Sequence, residues 1–289
     1  MKRASWIIAI AVSSAAVLGA GIAATVRLNP SSQPPSPQVA VSPSGSVSPS
    51  PQVAVSPAME PSPSPKLDDF SHQRISLVDR TATDPEFAKF RQQLQKAIQT
   101  RDARFVSALI PAKGVPIGFG RSQTVEDLKL TDPKAMFWSI LEKAMGANCG
   151  FAEPNATTSA KGWICPTVSR DFYRQYPPNP NAAPGLGYEL SNVIVVGDRV
   201  NVRALPNLNS EVVGVLTNEV VKFDQKRFEN SQEEQIKAFD PMSDWTPVVL
   251  PNRKQGYVYN RYAYRSLENR AIFKNISGKW QITEMPGGD

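Results

Sequence analysis

One histidine and two cysteines, beside scattered carboxylates, are all that this 289-residue chain offers for Cys–His or zinc chemistry. His72 sits between Ser71 and Gln73 at the edge of a Pro/Ser-rich stretch, where it reads as an ordinary solvent-exposed residue. Cys–His peptidases, zinc amidases and zinc endopeptidases need histidines positioned inside a folded domain. The chain has none to give. Cys149 and Cys165, with no histidine nearby, cannot complete a tetrahedral zinc site, so no metal or cofactor is expected. A glycosidase can work with two carboxylates alone; Glu126 and Asp127 are the candidates, but their neighbours have the polarity of a helix cap. Gly114-Val-Pro-Ile-Gly-Phe-Gly120 lacks the Lys-Ser/Thr that follows a phosphate-cradling loop and reads as a turn or edge strand exposing Phe119. No catalytic residue is assigned. The expectation is a protein that binds and does not turn over.

The elements that would carry binding lie in the C-terminal half. Val200 and Val202 alternate with Asn201 and Arg203, as in a half-buried strand. A Pro/Asn/Ser turn follows, then the apolar run Val212, Val213, Val215 and Leu216. Downstream come Trp245-Thr-Pro-Val-Val, a basic turn and Gly256-Tyr-Val-Tyr-Asn-Arg-Tyr262. This order resembles the bacterial SH3 (SH3b) domain of exported proteins, over about Asn192–Asp289. The resemblance implies a small β-barrel used for recognition. In such domains an aromatic surface is often where peptides or glycans lie. With Val258 pointing inward, alternation turns Tyr257 and Tyr259 outward near Trp245, beside Arg203 and Arg261. Those five residues are the expected ligand-binding set.

Two features depart from the pattern. Lys226–Ser243 replaces the usual short link before the Trp-led strand; within it Ser231 and Glu234 have capping-box spacing, and Ile236 and Phe239 could form a short apolar ridge. The tail Arg270–Thr283 holds two alternating runs around Asn275–Gly278, the pattern of a β-hairpin. It looks like the tail of exported bacterial SH3-domain proteins of unassigned function, where the hairpin would complete the fold of the first domain.

Ahead of that module, Asp84-Pro85-Glu86 is a helix start with Pro at the first helical position. Phe87, Phe90, Leu94, Ile98, Phe105 and Leu109 follow at mostly helical spacing, until Pro111 and Gly114. A second start at Asp132-Pro133 leads to Phe137, Ile140, Leu141 and Met145, with Gly146 closing it. An even cysteine pair in an exported protein points to a Cys149–Cys165 disulfide, around a polar, turn-rich intervening loop.

Residues Pro30–Pro65 carry eleven prolines and eleven serines with no aromatic, too little apolar surface to offset the entropy of ordering. Ser36–Pro43 recurs as Ser50–Pro57, a low-complexity spacer. Before it, Met1-Lys-Arg precedes an uncharged Ala4–Val26, long enough for a bilayer helix with its N-terminus held inside. Gly21-Ile-Ala23 offers a small-x-small cleavage site for a signal peptide; the apolar length and the spacer favour a retained anchor. The formal charge of +6 is spread without a basic run, so nucleic acid is not an expected partner.

The expected fold class is α+β in five parts: a signal peptide or transmembrane anchor at 1–29, a disordered Pro/Ser linker at 30–67, a helix-rich α+β domain at 68–178, an SH3b-like domain at 188–267 and a β-hairpin extension at 268–289. The expected partners are peptidoglycan or an envelope protein, plus the cytoplasmic membrane through the N-terminal segment. The place is extracytoplasmic, anchored or secreted. Two alternatives remain: a scaffold that binds a protein through the helical domain, and a carboxylate-only cell-wall hydrolase.

Overall fold

A computed structural model describes residues 67, 69–152, 162–181, 187–230 and 240–287, all within one compact unit, Pro61–Asp289. The expected anchor, nearly all of the expected linker, and the Ser231–Phe239 ridge lie outside the described residues. Among the described residues no helix is long and apolar enough to cross a membrane.

The chain is an α+β protein of antiparallel sheets and mostly short helices. Helix α1 (Pro85–Thr100) starts where the sequence places it, with the Asp84 carboxylate accepting from the Glu86 and Phe87 amides. The single helix expected to run on toward Leu109 breaks at Arg101, which is left-handed (φ 54°). Asp102 then caps a new helix, α2 (Ala103–Ser107), by accepting from the Phe105 amide. A capping aspartate in mid-pattern offers the backbone an alternative to continuing. Strands β1 (Val115–Pro116) and β2 (Ser122–Gln123) form a small hairpin with Phe119 at its turn, 95% exposed. Helix α3 (Val125–Leu128) is a single turn. Helix α4 (Met136–Met145) begins at Met136 because Asp132 spends its carboxylate on the Lys134 amide in the turn before it.

Strands β3 (Gly150–Ala152) and β4 (Gly162–Cys165) are antiparallel, and the Cys149–Cys165 disulfide is present. After α5 (Val168–Gln175) and α6 (Gly187–Leu190) come β5 (Asn192–Val195), β6 (Val200–Arg203), β7 (Val212–Leu216) and β8 (Glu219–Phe223). Helix α7 (Gln225–Asn230) precedes β9 (Trp245–Val249) and β10 (Gln255–Tyr259). A 3₁₀ turn at Asn260–Tyr262 leads to β11 (Ala263–Tyr264), and β12 (Ala271–Ile276) and β13 (Lys279–Glu284) close the chain.

The tail is a hairpin whose two-residue turn, Ser277 and Gly278, has positive φ at both positions, the turn that matches strand twist. Its β12 pairs with β4, giving a four-stranded sheet in the order β13-β12-β4-β3. Phe273, Ile282 and Met285 thereby join Phe87, Phe90, Leu94, Trp138 and Leu141 in one core. Phe87 stacks on Trp163 at 4.1 Å and Phe90 on Trp280 at 5.1 Å, tying α1 to both halves of that sheet.

The other sheet has seven strands in the order β11-β5-β8-β9-β10-β6-β7. It curls: the Leu250 side chain after β9 lies against Gly214 on β7, two strands beyond its immediate neighbour. Val193, Val195, Val202, Leu216, Val248 and Val258 meet in its core. The expected barrel is not closed by strand pairing, since β11 and β7 end the order. The stretch 67–75 instead spans β7 and β8. The Val215 amide donates to the Leu67 carbonyl, the Val220 amide to that of Gln73, and the Ile75 amide to that of Asn218.

His72 departs from its sequence reading. Its side chain is three-quarters covered, packs on Phe70, and its Nδ1 lies 2.7 Å from the buried carboxylate of Glu219. A buried carboxylate needs hydrogen-bond partners, and the Thr217 amide supplies Glu219 with another. On the outer face Ile194, Val220 and Tyr264 pack with Val168, Phe172 and Ile75, so α5 backs the seven-stranded sheet.

Candidate functional site

Alternation along β10 sets the site. Val258 is fully buried in the sheet's core, and Gly256 lets the backbone approach Val202 and Val213 so closely that a Cβ would meet them at 2.7 and 2.9 Å. Tyr257 and Tyr259 therefore turn to the other face. In register, Tyr259 lies opposite Trp245 and Tyr257 opposite Pro247. The Trp245 and Tyr259 rings are 5.2 Å apart and tilted by 56°.

A groove of about 420 Å³ runs past this pair and collects Arg203 and Arg261 from the sequence-expected set. Arg203 is steadied by donating from Nη1 to the Ser210 carbonyl at 2.6 Å. Arg261, on the 3₁₀ turn, donates to Glu142 of α4 at 3.2 Å, and the same carboxylate takes Arg101 at 2.9 Å. That chain of charges fixes one wall of the groove to the helical layer.

Tyr257 does not join them. It is 4% exposed, and the Arg227 guanidinium of α7 lies 4.7 Å from its ring. Helix α7 thus covers one tyrosine of the expected surface. Sequence reasoning also missed Asp198, Arg199, Leu208 and Tyr262, which complete the lining. Tyr262 continues the aromatic run of β10; Leu208 carries no signal, being an apolar residue in a polar turn that stays 65% exposed. Three arginines face one aspartate, and Asp198 is engaged by the Thr217 hydroxyl. The groove suits an anionic ligand with a flat or apolar face.

A second cavity, about 410 Å³, opens between α4 and β9, and Trp245 lines it as well. Its walls include Met136, Ile140, Phe223, Phe228 and Leu267, and at its floor sit Lys143 and Glu268. Lys143 is 3% exposed; its ammonium donates to the carbonyls of Asn260 and Ala263 and lies 3.8 Å from the Tyr264 ring. Burial pulls the Lys143 ammonium down to about 8, and pushes the Glu268 carboxyl and the Tyr264 phenol up. Glu268 Oε2 is 3.8 Å from the Lys143 nitrogen and accepts no hydrogen bond among the described residues.

The remaining chemical candidates are occupied structurally. Thr124 and Asp127 form a capping box on α3, and Asp127 takes both Arg121 guanidinium nitrogens at 3.0 Å. The Arg121 bonds hold the Asp127 carboxyl down at about 2, far from what a general acid needs near neutral pH. Among the described residues no three His, Cys, Asp or Glu side chains gather as a metal site would require.

Comparisons with protein-family models, with curated proteins and with solved structures returned no match to this chain.

Proposed function

We propose that this chain is an envelope binding protein whose SH3b-like module, the curled sheet Asn192–Tyr264, holds peptidoglycan or a protein partner outside the cytoplasmic membrane. The reading joins the sequence resemblance to one observation: the groove where the Trp245 and Tyr259 rings meet beside Arg199, Arg203 and Arg261. Aromatic faces take sugar rings or peptide side chains, and guanidinium groups pair with carboxylates bidentately. An uncharged Ala4–Val26 segment and a Pro/Ser spacer support a module carried at the end of a tether from the membrane.

The test is retention of the full chain, solubilised in mild detergent, on purified sacculi at physiological salt. Wild type is retained and Trp245→Ala is lost; wild type in the wash leaves only the protein-partner version. A second reading, a scaffold that docks a protein through the helical layer, is favoured by Phe119, a phenyl group 95% exposed at a hairpin tip. Under it, Phe119→Ser abolishes partner capture and Trp245→Ala does not. Release of soluble muropeptides from the same sacculi would instead point to hydrolysis.

A further inference from the structure

Trp245 lines both the groove and the cavity between α4 and β9, and the two differ in chemistry. The groove is basic and open along the surface. The cavity is walled by side-chain carbon from Met136, Ile140, Phe223, Phe228 and Leu267. Its polar groups are mostly committed. The Lys143 ammonium serves two backbone carbonyls, Arg265 lies flat over Phe223 at 3.9 Å, and the Asn260 amide bonds Thr246 and the Asp240 carbonyl. Glu268 Oε2 is buried beside the cavity with no hydrogen-bond partner among the described residues, closed to a ligand as it is to water.

We propose that this cavity is the specificity subsite of the same binding surface and takes an apolar side chain of an extended protein segment. The segment's acidic side chains would lie on Arg199, Arg203 and Arg261. The proposal rests on the groove being the binding surface and selects the protein ligand over the glycan. A sugar ring brings hydroxyls on every edge, and against the carbon walls of this cavity they would lose hydrogen bonds. A Leu, Ile, Met or Phe side chain loses nothing there. Because Trp245 borders both sites, one extended segment can reach from the groove into the cavity. Opposite charge on the groove side and an apolar anchor on the cavity side set the register of such a segment.

The probe is a display library of random 12-residue peptides panned against the full chain in detergent, with purified murein glycan strands in parallel. The expected recovered peptides share one apolar residue next to acidic residues. For a recovered peptide, Ile140→Trp, which fills the cavity, weakens binding at least tenfold. Changing the peptide's apolar residue to Ser costs as much in wild type and nothing more in Ile140→Trp, a coupling that links that residue to the cavity. Should Ile140→Trp fail to fold, Met136→Asp (47% exposed) gives the same comparison. Recovered peptides without an apolar residue, additive losses, or binding to glycan strands and to no peptide overturn the subsite while leaving the groove standing. Equal behaviour of wild type and Trp245→Ala toward both probes overturns the groove itself.

Discussion

Lys143 shows how a single buried charge joins the helical layer to the sheet. Its ammonium, from α4, holds the carbonyls of Asn260 and Ala263 on either side of the 3₁₀ turn that also carries Arg261. Removing it leaves two covered carbonyls without a donor, each worth about 1–3 kcal/mol. Lys143→Met is expected to lower stability by about 3 kcal/mol, read as a fall in the urea midpoint at unchanged slope. The same residue sets a pH dependence. Its pKa falls from 10.5 unfolded to about 8 folded, so between those values the unfolded chain holds the extra proton and stability rises with pH. Tyr264, held above its ordinary 10.0 by burial, works with the opposite sign above that value. Urea midpoints at pH 7.5 and 9.5 should therefore increase in wild type, and the increase should vanish in Lys143→Met.

At the scale of elements, β10 places the groove and Gly256 places β10. An added methyl would meet the Arg203 carbonyl at 2.9 Å and Val202 at 2.7 Å, and neither can yield without moving β6. Gly256→Ala should cost about 1–3 kcal/mol and weaken ligand retention together with stability. The disulfide is a second joint of this kind. It closes a loop across 16 positions between the end of α4 and the end of β4, so Cys149→Ala with Cys165→Ala should lose about 3 kcal/mol in the chain-entropy picture, measured by thermal unfolding. Much of this level was legible. Proline after an aspartate marked the start of α1, period-2 alternation marked β6 and β10, and a Gly after a polar run marked the tail turn. The break at Arg101 was hidden because Phe105 and Leu109 keep the helical period across it. Tyr257 was misplaced on the surface because alternation gives the face of a strand but not what a later segment lays over that face. The cavity residues were invisible, since α4 and β9 lie about a hundred positions apart and only folding brings Met136 beside Trp245.

The unit Pro61–Asp289 is knit by the first and last of its described stretches. The stretch 67–75 bonds along β7 and β8, and the tail hairpin enters the sheet beside β4. Strain applied at either end is therefore delivered to a sheet, and in the proposed setting the tether pulls directly on the module that carries the groove. The most direct measurement places a photo-crosslinking amino acid at Leu208, exposed in the groove, and in a second protein at Ile276, exposed on the tail hairpin. Both would be irradiated in intact cells. Binding through the groove predicts adducts with envelope material at Leu208, abolished by Trp245→Ala, and none at Ile276. Equal adducts at both positions, or adducts at Ile276 alone, would contradict it.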